Sequence, residues 1–246
     1  MVARHDLTTD PDLQAALLTV RRGTAFWSRK VNELMDADLD GDSRLAGWTR
    51  RHVIAHVGLN ARALTRLVQW ANTGVETPMY DSSEQRNREI EYAATLPPRA
   101  LRHLNEHAAI SLNVEWRDTP DAAWVNVVKT AQGREVPLTE TVWMRNREVW
   151  IHAFDLGNGA RFSDIPRDVL ARLAREVPAM WAKRGEGGDL RITATDTPEL
   201  GELGGGAGSA SARVVAGPLA GVVRWMTGRG ARELTEGADV PNPRWL

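Results

Sequence analysis

Apolar residues recur at intervals of three and four over most of the first 160 positions. Leu13, Leu17, Val20, Thr24, Trp27, Val31 and Leu34 form one such stripe and predict a first helix over about Asp12–Met35. A polar stretch, Asp36–Ser43, separates it from a second helix expected from Thr49, a candidate N-cap, to Ala71, with Asn72-Thr-Gly74 ending it. Ser82–Ala94 reads as a short polar helix. Pro97-Pro98 opens another that reaches about Trp116, because proline is tolerated in a first turn, where its missing N–H has no helical partner. The period then shifts. Trp124–Val128 and Arg134–Val136 flank Gln132-Gly133 and predict a small hairpin. Helical spacing resumes from about Glu140 to Leu156.

The stretch from Asn158-Gly159 to Pro166 reads as a junction, and the pattern beyond it differs. A helix fits Pro166–Lys183, and short strands fit Leu190–Ala194 and Ala212–Ala216. Leu200–Ser211 is rich in Gly, Ala and Ser and is expected to be a flexible loop. Pro218–Thr227 reads as a last helix. The expected fold class is α+β. A four-helix bundle with a hairpin crossover fills residues 1–162, and a small C-terminal domain of helices and strands fills 163–246.

Within the last bundle helix, Glu148 and His152 are four apart and share a face with Met144 and Ile151. A carboxylate and an imidazole on an apolar stripe need a partner, since unpaired buried charge is costly. A metal ion is one such partner; a surface pair between Glu148 and Arg145 is the plain alternative. The second helix offers His52 and His56. His56 lies among Ile54, Ala55 and Val57 and aligns with Leu59 and Ala63, so it is the better inward ligand. His52 follows Arg50 and Arg51 near the helix start and is a candidate for lining a pocket or supporting a ligand. His103 and His107, with Glu106 between them, form a third pair in surroundings that read as solvated. Two histidines and one glutamate make an established zinc set that leaves one position open. Asp155, three residues after His152, is placed to orient its imidazole or to serve a structural role.

Composition narrows the chemistry. The chain has 246 residues, a net charge of −1 and no cysteine. The near-neutral balance gives no case for nucleic acid or an anionic membrane as partner. No stretch approaches 18 uncharged apolar residues, and the first residues lack the apolar run of a signal peptide, so a cytoplasmic location is expected. Without cysteine there is no thiolate ligand and no sulfur nucleophile of the protein's own. Nothing marks an oligomer face, and a monomer is expected.

Several motifs occur together in one order: Gly47-Trp-Thr-Arg50 before Ile54-Ala-His-Val57, Trp70-Ala-Asn-Thr-Gly74 with Glu76-Thr-Pro-Met-Tyr80, Thr130-Ala-Gln-Gly-Arg134, and Trp143-Met-Arg145 before Arg147-Glu-Val-Trp-Ile-His152. Leu219-Ala-Gly221, Gly228-Arg-Gly230 and Pro243-Arg-Trp-Leu246 follow. In these the chain resembles the mycothiol-dependent maleylpyruvate isomerases of the DinB-like metalloenzyme superfamily. The resemblance implies a DinB-like bundle, zinc held by His56, Glu148 and His152, and mycothiol as the thiol cofactor. It implies cis–trans isomerisation of 3-maleylpyruvate to fumarylpyruvate in gentisate breakdown. Reversible addition of the zinc-activated thiol would turn the double bond into a single bond that can rotate. It also implies an arginine that acts on the substrate, matched to Arg229 with Arg224 as the fallback, and an active site between the two domains. A zinc-dependent mycothiol S-transferase and a non-enzymatic metal-binding sensor or interaction domain are the rival readings.

Overall fold

The computed structural model describes residues 5–206 and 211–245. Met1–Arg4, residues 207–210 of the expected Gly-rich loop, and Leu246 of the last quoted motif lie outside them. The chain divides into two compact units, Met1–Ala160 and Arg161–Leu246, where sequence placed the change at 162/163.

Among the described residues, the first unit holds five α-helices and a hairpin: α1 (Pro11–Asn32), α2 (Arg50–Thr73), α3 (Ser83–Ala94), α4 (Pro98–Arg117), β1 (Val127–Lys129), β2 (Glu135–Pro137) and α5 (Glu140–Asp155). Local chemistry sets the helix starts. Asp10 caps α1 by accepting from the Asp12 and Leu13 amides at 2.9 and 3.3 Å. Thr49 and His52 close the first turn of α2 on each other. Ser82 accepts from the Gln85 amide at the start of α3.

α2 packs on α4 and α1 on α5, with α2 also against α5 and α3. Buried apolar residues run along the bundle, and one cluster of them joins four helices. Leu13, Leu17 and Val20 of α1 meet Leu64, Leu67 and Val68 of α2, Leu112 and Trp116 of α4, and Val142 of α5. The hairpin contributes Val128 to the same cluster. The α2–α4 seam is close: a Cβ on Gly58 would lie 3.3 Å from the Asn105 Cα. Asn105 ties three helices, accepting from Trp27 Nε1 at 2.9 Å and donating to the Ile54 carbonyl at 3.1 Å. This seam fixes the half of α2 that carries His56.

The first hairpin strand is shorter than the sequence reading and sits nearer the turn, because the 3-10 turn over Asp121–Ala123 carries on through Trp124 as its C-cap; the second keeps three residues and starts one residue later, at Glu135. The second unit contains α6 (Arg167–Lys183), β3 (Leu190–Ala194), β4 (Glu202–Leu203), β5 (Arg213–Gly217) and α7 (Leu219–Met226). Its sheet runs β4-β3-β5, with β3 and β5 parallel and β4 antiparallel at the edge. β4 falls inside the stretch expected to be loop. Two residues pairing Ile192 with Leu203 and Thr193 with Glu202 are too few to show a period. α6 and α7 pack together, with Trp181 edge-on to Trp225 at 5.9 Å. No described helix is long and apolar enough to cross a membrane.

Candidate metal centre

α2 and α5 pack on each other, and three side chains converge between them. His56 is 6% exposed; the Glu148 and His152 side chains are 20% and 14% exposed. His56 Nε2 lies 2.8 Å from Glu148 Oε2, and His152 Nε2 lies 3.2 Å from the same oxygen. The His56 and His152 rings meet edge to face at 4.8 Å. All three ligand atoms lie within 4.8 Å of one another, and this is the metal-capable cluster among the described residues. Two imidazole nitrogens and one carboxylate oxygen fit a catalytic zinc set with an open position.

The surroundings of the two histidines differ. His152 Nδ1 is 2.9 Å from Oδ2 of the fully buried Asp155. That contact holds the proton on Nδ1 and turns Nε2 toward Glu148, the usual support for a metal-ligating imidazole. His56 Nδ1 instead meets the guanidinium of Arg86, with Nη2 at 3.2 Å. Arg86 also hydrogen-bonds the Tyr80 hydroxyl and lies 5.8 Å from its ring centre. Trp48 walls the other side, 5.6 Å from the His56 ring.

Charge follows from these contacts. Burial opposes the charged form of His152, but hydrogen bonds to Asp155 and Glu148 outweigh it and push it up to about 9. Burial likewise opposes ionisation of Glu148. The charge of His56 and hydrogen bonds from both histidines prevail and hold its carboxyl well below the usual range. Burial lowers His56, partly offset by Glu148. Burial raises Tyr80 to about 12, so its hydroxyl keeps its proton.

Arg145 does not form the surface pair with Glu148 that sequence kept open. It is 1% exposed, and its Nη1 donates to α2, to the Val57 carbonyl at 2.6 Å and Asn60 Oδ1 at 3.1 Å. Burial pulls it down to about 10, so it stays charged beside Glu148. His52 stands apart from the cluster. Its Nδ1 accepts from the Thr49 amide and pairs with Thr49 Oγ1 at 2.8 Å, while Nε2 lies 3.3 Å from Glu91. His103 and His107 stack on each other at 4.8 Å, both exposed, along a groove of about 710 Å³ shared with Arg62 and Glu115.

In the second unit, Arg224 is engaged by Glu233 at 3.1 Å and by the Arg229 carbonyl at 2.9 Å. The half-buried Arg229 donates to the Thr227 carbonyl at 2.5 Å and lies over the Trp245 ring at 5.3 Å. Sequence reasoning gave Arg86 and Tyr80 no role. Arg86 sits on a polar helix and Tyr80 in an irregular segment, where no period shows which side chains turn inward.

A helical bundle that gathers two histidines and a glutamate from facing helices is a bundle protein with a candidate site for one metal ion. The family model for the mycothiol maleylpyruvate isomerase N-terminal domain matches residues 20–157. A crystal structure of the mycothiol-dependent maleylpyruvate isomerase is similar to 48% identity with a TM-score of 0.90, over 95% of this chain and 97% of that one. A histidine-to-alanine mutant of such an isomerase is similar at 47% identity, with the same score and coverage. No curated protein sequence matches the chain significantly. The chain belongs to the mycothiol-dependent maleylpyruvate isomerase family.

Proposed function

We propose that this protein isomerises maleylpyruvate to fumarylpyruvate with mycothiol as its thiol and zinc held by His56, Glu148 and His152. The observation that carries this reading is the convergence of those three ligand atoms within 4.8 Å in a chain 48% identical to such an isomerase over nearly its whole length. When bound, zinc supplies a Lewis-acidic position that keeps a thiol ionised, and mycothiol supplies a sulfur nucleophile whose reversible addition frees the double bond to rotate.

The chain's own residues prepare that chemistry. Glu148 is ionised and takes N–H contacts from both histidines, so its oxygen is set between them. Asp155 fixes the His152 tautomer. Arg145 places a buried positive charge near Glu148 and ties α5 to α2, holding the ligands of both helices in register. Tyr80 stays a proton donor at neutral pH, beside Arg86. Arg229 is assigned to the substrate's carboxylate or developing enolate, since a guanidinium presents fixed, charged donors to both. Arg224, which pairs with Glu233 at 3.1 Å, is the fallback.

Purified zinc-loaded protein should consume maleylpyruvate only when mycothiol is present. Equal turnover without any thiol, or none with it, would contradict the proposal.

A further inference from the structure

The contact between His56 and Arg86 conflicts with metal binding, and the conflict assigns Arg86 a use. An arginine donates hydrogen bonds and accepts none. His56 Nδ1 must therefore be the acceptor at 3.2 Å, which leaves the ring proton on Nε2, facing Glu148 at 2.8 Å. A metal on Nε2 requires the opposite arrangement, with the proton on Nδ1. Two donors would then face each other, and a guanidinium charge would stand beside a ligand of a divalent cation. The contact cannot persist as a hydrogen bond once the site is loaded.

Arg86 has little else to hold it there. Its other side-chain partners among the described residues are Asn87 Oδ1 at 3.2 Å and the Tyr80 hydroxyl, and neither is an anion. It sits in the first half of α3, where no residue is buried; Ile90, Ala93 and Ala94 anchor only the second half. That half of the helix can shift at little cost in packing. A displaced guanidinium beside Tyr80 is a ready donor set for a carboxylate.

We propose that Arg86 is a carboxylate-binding residue released from His56 by metal loading, so that zinc and a dicarboxylate ligand each favour the other's binding. This rests on His56, Glu148 and His152 holding the metal, and it does not require that the protein isomerise anything. The test therefore uses zinc and maleate, a cis-dicarboxylate, with no turnover involved.

Zinc affinity of metal-free protein is measured by competition with a chromophoric chelator, with and without maleate, for wild type, Arg86→Met and Arg86→Lys. In wild type, maleate should tighten zinc about fivefold or more, and zinc should tighten maleate by the same factor. Arg86→Met should bind zinc more tightly than wild type without maleate, because the competing donor is gone, and should lose the maleate effect. Arg86→Lys should restore part of that effect, since it keeps the charge without the planar fork. Zinc affinity in Arg86→Met equal to or weaker than wild type would overturn the proposal. So would a maleate effect that survives in Arg86→Met, which would mean that maleate binds the metal directly.

Discussion

Asp155 decides which nitrogen of His152 faces the ligand cluster. It is fully buried, and its carboxylate receives the Nδ1 proton at 2.9 Å. Asp155→Ala should leave the bundle folded but weaken zinc binding by about 10–100-fold, as loss of such a support commonly does. Chelator competition reads this directly, and unchanged affinity would show that the imidazole is oriented by other means. The pair Glu148 and His152 was legible in sequence because spacing of four puts two side chains on one helical face. His56 was legible through its apolar neighbours. Arg86 and Tyr80 were not, because their positions follow from how an irregular segment and a polar helix lie on α2. The surface pair between Arg145 and Glu148, kept open as the plain alternative, does not form because Arg145 is buried against α2. A charged residue in a sequence is assumed to be solvated, and only the α2 carbonyl and amide acceptors reveal why it is buried.

Helix pairing carries its own consequences. α1 and α5 meet closely at Gly23, where an added Cβ would lie 2.6 Å from Trp150 Nε1 and 2.7 Å from Val149 Cγ2. Alanine would gain about 0.5–1 kcal/mol of helix propensity there. Overpacking against a buried indole costs about 1–3 kcal/mol, so the cost should win. Gly23→Ala should therefore lower the thermal midpoint by about 2–4 °C, and a raised midpoint would refute the packing argument. The segment before α1 is tied down by Asp6, which accepts from Arg21 Nη1 and Nη2 at 2.7 and 2.5 Å. The hydrogen bond from Arg21 outweighs burial and holds the Asp6 carboxyl below its ordinary value. A depressed carboxyl stabilises above its unfolded pKa of about 4 and loses that contribution as pH falls through the folded value. Arg21 is a third exposed, so Asp6→Asn should cost only about 0.5–1 kcal/mol at pH 7. Denaturant melts of the two proteins should converge in acid; a constant difference would count against the ion pair. The seven α-helices of the described residues lie within a few residues of the ends expected from sequence. β4 escaped because an edge strand of two residues has no periodicity, and β1 starts later than the apolar run at Trp124 because Trp124 caps a 3-10 turn.

On the scale of the whole molecule, the absence of cysteine and the two-histidine, one-glutamate cluster belong to one account. A chain with no thiol of its own presents a site suited to holding a borrowed one. Arg229→Ala should cut kcat/KM for maleylpyruvate by at least tenfold while leaving zinc affinity unchanged; unaltered turnover would remove Arg229 from the reaction. The division into a bundle and a smaller α+β unit was visible in the change of period near residue 160, since each unit has its own helical or strand spacing. The most direct measurement is a zinc titration of metal-free protein at saturating mycothiol, with maleylpyruvate turnover followed at each addition. If zinc on His56, Glu148 and His152 drives the reaction, turnover rises in proportion to zinc, levels off at one equivalent, and is lost in Glu148→Ala at the same zinc concentrations. Full turnover by the metal-free protein, or by Glu148→Ala without bound zinc, would contradict it.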